Sequence, residues 1–214
     1  MVDMVNDILL QAVLILVVVF MFLLMYNVPQ KALSKISFGS RTNLQAKRHF
    51  VQGAQLLEKA RSAKDGVAAS SLAKSAAEEA DKAVGLNPKD AAAHILKALA
   101  LELQGYKTSA LDALDVALSP MAVKSLSDEE RGDALFKRAE LKVAMSRTER
   151  VDSAIADLVD SVKFRTDNPR AFFVSGQCYE TKGMTVEAKK AYEDALRVQP
   201  MFTVAQEALD RLGS

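Results

Sequence analysis

The chain has 214 residues, of which 50% are hydrophobic and 26% charged, with a formal net charge of +1. That balance fits one or two globular domains and argues against disorder, and no run concentrates enough Lys and Arg to read as a nucleic-acid surface. A single cysteine, Cys178, leaves no partner for an internal disulfide, so a stapled secreted scaffold is excluded and a reducing compartment fits better.

The first element follows a short tail, residues 1–7, and occupies residues 8–27. Ile8 to Tyr26 carries no charge, and fourteen of its residues are Ile, Leu, Val or Phe. As a helix it rises about 28 Å, close to the roughly 30 Å of a hydrocarbon core. At about 0.3 to 0.6 kcal/mol for each large apolar residue, insertion is favoured by roughly 4 to 8 kcal/mol, which the lone Gln11 does not reverse. A cleaved signal would start with cations, but this start carries Asp3 and Asp7, and the exit "MYNVPQKALS" lacks a small-x-small cut. The segment therefore reads as a retained transmembrane anchor helix. Lys31, Lys35, Arg41, Lys47 and Arg48 all follow it, while no acidic residue lies between Asp7 and Glu58, so the positive-inside rule places the remainder of the chain in the cytosol. Strong hydropathy favours the endoplasmic reticulum, with a mitochondrial or plastid outer membrane or a bacterial inner membrane as alternatives.

Residues 28–43 read as a basic juxtamembrane linker. Pro29 disfavours helix in the residue before it and cannot donate a ladder bond, so the anchor is expected to end at Asn27-Val28-Pro29. The linker cations orient the anchor and also suit anionic headgroups.

From residue 44 to 214 the pattern is helical throughout, with Ala, Leu, Lys and Glu at helical spacing and few Gly or Pro. Four helix hairpins are predicted at about 44–88, 89–122, 128–167 and 169–201, then a capping helix at 202–212. The first hairpin has Gly53 and Leu57 on its first helix and an Ala-rich second helix. The second carries Ala98, Leu101, Gly105, Ala110, Leu114 and Ala117. The third opens on Ser127 and Glu130, a capping box, and is weakened by Lys142 where a large apolar residue belongs. In the fourth, Asn168 caps, Pro169 sits in the first turn, Gly183 separates two helices and Pro200 follows the second. The triplet Ala188, Tyr192, Ala195 aligns with Ala154, Leu158, Ser161, then Ala110, Leu114, Ala117, then Ala76, Ala80, Ala83, at steps of 34, 44 and 34 residues.

Phe172, Gly176 and Tyr179 on one helix, with Ala188, Tyr192, Ala195 and Pro200 after them, make the fourth unit resemble a tetratricopeptide repeat over its whole length. Phe172 stands where that family often has Trp, and Ser175 where it has Leu. The resemblance implies an all-α, right-handed superhelical stack in which Ala98, Ala110, Ala117, Gly176, Ala188 and Ala195 let helices approach, while Phe172, Tyr179 and Tyr192 fill the space between them.

No phosphate loop, nucleophile elbow or zinc spacing occurs, the two histidines His49 and His94 are far apart, and the acidic residues fall at helix-surface positions. No enzyme, cofactor or small-molecule substrate is expected. The family offers instead a concave groove lined by the first helix of each hairpin. Carried over by position, that groove includes Ile95, Leu99, Phe136, Lys137, Glu140, Arg170, Phe173 and Gln177. The family's clamp for chaperone carboxylates needs Lys and Asn at positions that here hold Phe50, Ala54, Leu96, Asp133 and Lys137, or in the next register Ile95, Leu99, Lys137, Arg170 and Val174. Too few cations remain to hold a carboxylate. The expectation is a membrane-anchored adaptor, scaffold or receptor that recruits a protein through an apolar groove, or else a fixed subunit of a larger membrane complex.

Overall fold

The computed structural model describes the backbone of residues 28–145 and 150–213, and side chains from residue 41 onward within those ranges. The predicted anchor, residues 8–27, lies outside the described residues. Among the described residues every regular element is helical: α1 (Val28–Ser62), α2 (Gly66–Leu86), α3 (Ala91–Leu103), α4 (Lys107–Ala117), α5 (Asp128–Ala144), α6 (Val151–Phe164), α7 (Pro169–Thr181), α8 (Thr185–Val198) and α9 (Thr203–Gly213), with a 3-10 turn at Val123–Ser125. None of these helices is long and apolar enough to cross a membrane.

The chain divides into two compact units at Gln45/Ala46. In the first, the backbone from Val28 onward is helical, so residues 28–43 continue into the first hairpin helix. The second unit contains the hairpins.

Local chemistry sets the helix ends. Asp65, Asp90 and Asn168 accept hydrogen bonds from backbone amides of the first turns of α2, α3 and α7. Ser127 and Glu130 form both halves of a capping box on α5. Gly105 and Gly183, with φ of +87° and +72°, turn the chain between the helices of the second and fourth hairpins, a conformation that costs glycine little.

Each hairpin buries its apolar face partly against its own second helix and partly against the next hairpin. Leu57, Ala76, Ala80, Leu96 and Ala100 join α1, α2 and α3. Ala98, Ala110, Leu114 and Leu141 join α3, α4 and α5. Phe136, Ala139, Leu158, Ala171 and Cys178 join α5, α6 and α7. Tyr192, Ala195, Ala205 and Ala208, with Phe172, Phe173 and Tyr179 beside them, join α7, α8 and α9. This nearest-neighbour chain of cores is how a solenoid is held, and α9 covers the last apolar face. The residues between the second and third hairpins fold back on the start of α3, where Ala122 packs with Ala91 and Ala117 and Ser125 Oγ accepts a 3.0 Å bond from Ala91 N–H.

Alanine dominates the buried set, so helices approach closely and single atoms decide fit. A Cβ on Gly176 would clash with the Tyr192 ring, and one on Gly132 would meet Arg165 Cβ at 2.8 Å. Tyr192 is fully buried, and its hydroxyl donates to Glu180. Burial, then the neighbouring Glu180 carboxylate, pushes the phenol well above its ordinary value. Buried Ser161 takes a place where the fourth repeat has Ala195, and its hydroxyl donates 2.8 Å to Gly132 O, so no buried polar atom is left open there.

Lys142 has its reason in Asp157, which is 5% exposed on α6. Asp157 accepts from Lys142 Nζ at 2.6 Å and from Arg138 at 2.5 and 2.9 Å, and Arg138 also reaches Asp115 on α4 at 3.0 Å. Burial opposes the Arg138 charge, but the two aspartates outweigh it and raise the guanidinium above its ordinary value. The third hairpin is thus filled by a paired charge network rather than by an aromatic ring.

Candidate groove on the first helices

A cavity of about 730 Å³ opens along one face of the second unit. Phe50, Ala54, Leu57, Glu58 and Arg61 face it from α1, and Ala92, Ile95, Leu96 and Leu99 from α3. From α5 come Glu130, Asp133, Ala134, Phe136, Lys137 and Glu140, and Arg165, Asp167, Asn168, Pro169 and Arg170 close its end. The wall changes character along its length: mostly apolar on α1 and α3, mostly charged from α5 to the start of α7.

Six of the eight groove residues expected from sequence meet here: Ile95, Leu99, Phe136, Lys137, Glu140 and Arg170. Phe136 has two roles, since it is 8% exposed and packs with Ala139, Leu158 and Ala171 while still bordering the cavity. Phe173 lies elsewhere. Its ring centroid lies 5.5 Å from Tyr192 and 5.6 Å from Phe202, within the apolar cluster that α9 closes. Gln177, one turn further along α7, is exposed and does not border the cavity. The cavity ends at the start of α7 because the end cap uses the rest of that helix for packing.

The residues assigned to repeat packing divide similarly. Ala98, Ala110, Ala117, Ala188, Tyr192 and Ala195 are buried, Gly176 lies under Tyr192, and Phe172 and Tyr179 are half-buried in the last cluster. Pro200 is exposed between α8 and α9 and terminates a helix without packing. Of the cations used as a topology signal, Arg41, Lys47 and Arg48 are exposed on α1, while Lys31 and Lys35 lie on its backbone where side chains are outside the described residues.

Ion pairs tie the charged wall together. Lys137 Nζ lies 2.9 Å from Glu102 Oε2 and 3.3 Å from Glu140 Oε2, and Arg170 donates from Nη2 to Glu140 Oε1 at 2.8 Å. The Arg170 guanidinium also stands 5.8 Å from the Phe136 ring centroid. At the end of the cavity Arg165 pairs with Asp133 and, at 3.2 Å, with Asp167. The Asp133 carboxylate, foremost among these neighbours, holds that guanidinium above its ordinary value. Sequence reasoning missed Arg165, Glu102 and, on α1, Glu58 and Arg61. Arg165 lies past the end of α6 and packs against α5 without being part of a first helix, so a one-repeat template does not place it.

Among the described residues no three His, Cys, Asp or Glu side chains are grouped to hold a metal ion. Cys178 is buried, and burial pushes its thiol up to about 11, which suppresses the reactive thiolate. His94 Nε2 is spent on Pro88 O at 3.0 Å.

No protein-family model and no curated protein matches the chain. Among solved structures it is similar to a crystal structure of MamA, at 25% identity and a TM-score of 0.54, covering 69% of this chain and 78% of that one. It is also similar to the pilF protein of Pseudomonas aeruginosa, at 16% identity and a TM-score of 0.61, covering 80% and 68% of the two chains. A third likeness is to residues 41 to the end of MamA from Desulfovibrio magneticus RS-1, at 14% identity and a TM-score of 0.62, covering 78% and 83%. These likenesses support an all-helical fold of the tetratricopeptide type.

Proposed function

We propose that the chain is a membrane-anchored interaction scaffold whose groove holds an apolar segment of a partner protein. The observation that carries the reading is the cavity itself: Phe50, Ile95, Leu96, Leu99 and Phe136, from three consecutive first helices, present apolar surface to one open space of about 730 Å³. Apolar clefts with a few placed polar groups are where proteins take ligands, and helix-in-groove recognition needs this kind of surface. Residues 8–27 supply the anchor, on the strength of their length and hydropathy, and the flanking cations keep the hairpins on the cytosolic side. The endoplasmic reticulum is the membrane that the segment's hydropathy favours. No catalytic step is assigned to the groove.

The test is co-purification from membranes of the full chain, as wild type and as Ile95→Glu/Leu99→Glu, after mild crosslinking, with helicity checked by circular dichroism. The reading predicts a protein partner that is lost from the folded double variant. A folded double variant that keeps every partner contradicts it.

A further inference from the structure

Both carboxylate oxygens of Glu140 are engaged by cations from two different helices. Oε2 faces Lys137 Nζ at 3.3 Å on α5 itself, and Oε1 accepts from Arg170 Nη2 at 2.8 Å across on α7. Lys137 has a second carboxylate, Glu102 of α3, at 2.9 Å. Two cations and two carboxylates therefore form one chain across three first helices on the groove wall, and their formal charges cancel. Arg170 has a further hold, the face of Phe136 at 5.8 Å, which keeps the guanidinium at the wall without help from Glu140.

We propose that Glu140 is a specificity-determining residue, a built-in carboxylate that occupies the anion position between Lys137 and Arg170 and so turns acidic peptides away from the groove. A peptide carboxylate approaching that place meets a neutral chain of charges and must displace Glu140 to gain either cation. An apolar segment meets no such competition, since it asks nothing of Lys137 or Arg170. Removing the Glu140 charge leaves Arg170 without a carboxylate and Lys137 with Glu102 alone, so the chain of charges gains a net positive charge that suits a peptide carboxylate. The proposal rests on the groove being the binding surface and goes further, by naming the residue that sets which peptides it takes.

The experiment measures fluorescence anisotropy of a fluorescein-labelled tetraglutamate with a free C-terminus against the full chain at low ionic strength. Wild type, Glu140→Gln, Glu140→Ala and Glu140→Gln/Lys137→Ala/Arg170→Ala are compared, each with helicity confirmed by circular dichroism. Glu140→Gln and Glu140→Ala are expected to bind the probe at least about tenfold more tightly than wild type, and the triple variant to return to the wild-type level. A smaller gain, or a gain that survives loss of both cations, overturns the proposal. The outcome is distinguishable from that of the co-purification test: a gain of acidic-peptide binding alongside partners that ignore Ile95→Glu/Leu99→Glu sinks the proposed function while leaving Glu140 as a block to carboxylates, and no gain alongside partners lost from that double variant sinks the Glu140 proposal alone.

Discussion

The third and fourth hairpins fill the same repeat position by opposite means. Thirty-four residues apart, Arg138, Lys142, Asp157 and Leu158 stand where the fourth hairpin has Phe172, Gly176, Ala191 and Tyr192. In the fourth, the Tyr192 ring uses the space that Gly176 leaves open. In the third, the smaller Leu158 leaves room for Lys142, which reaches Asp157 together with Arg138. The first hairpin repeats the charged solution with other residues. Glu79, at the place of Asp157 in the repeat, is buried and bonded by His49 Nδ1 at 2.7 Å and Lys82 Nζ at 2.6 Å. The second has Ala113 at that position, as the fourth has Ala191. One backbone frame thus accepts either apolar packing or a satisfied charge cluster, provided the volume is filled and every buried charge has a partner.

The comparison breaks most sharply at its bulkiest member. Tyr192→Ala empties the space above Gly176 and is expected to cost about 4 kcal/mol, read by urea denaturation. Asp157→Ala leaves Arg138 and Lys142 without their shared carboxylate, with an expected loss of about 3 kcal/mol in the same measurement. If that loss is below about 1 kcal/mol, the charge cluster is not what fills the third hairpin. A sharper form rewrites the third hairpin after the fourth: Arg138→Phe/Lys142→Gly/Asp157→Ala/Leu158→Tyr is expected to recover at least about half of the Asp157→Ala loss, since apolar replacement of a buried ion cluster is often neutral or stabilising.

The smallest effect is one of pH. The Lys82 bond, then the His49 bond, hold the Glu79 carboxyl below its ordinary value of 4.5. A lowered acid stabilises the fold fully above its unfolded pKa and loses that contribution as the pH falls through the folded value. The stability difference between wild type and Glu79→Gln is therefore expected to shrink as the pH falls through and below about 4.5. A difference that grows on acidification would reverse the assigned sign.

Much of this architecture is readable without coordinates because its determinants are local. Asn168 with Pro169, and Ser127 with Glu130, announce helix starts within four residues of themselves. The Ala-x-x-x-large-x-x-small triplet marks the second helix of the last three hairpins, and Ala76, Ala80 and Ala83 keep its spacing in the first. The charge clusters are different, since Asp157 looks like any surface acid until Lys142, fifteen residues away on another helix, is known to reach it. The signal present was a lysine at a position that wanted an apolar residue. For the groove, positions on α3 and α5 follow from a clean repeat register. Phe173 has no such guide, because Phe172 and Phe173 are adjacent and one-repeat reasoning does not include the capping helix that draws both into the last cluster. Arg170 and Glu140 could be named one at a time, but their pairing across 30 residues required the fold.

The account turns on the groove being a place where another protein lies. The most direct measurement puts a photoreactive amino acid at position 99, inside the cavity, or at Val186, an exposed position on α8, in the full chain in intact membranes, followed by irradiation and mass spectrometry. The account predicts a protein adduct from position 99 that is absent from position 186. The same adducts from both positions, or none from position 99, would contradict it.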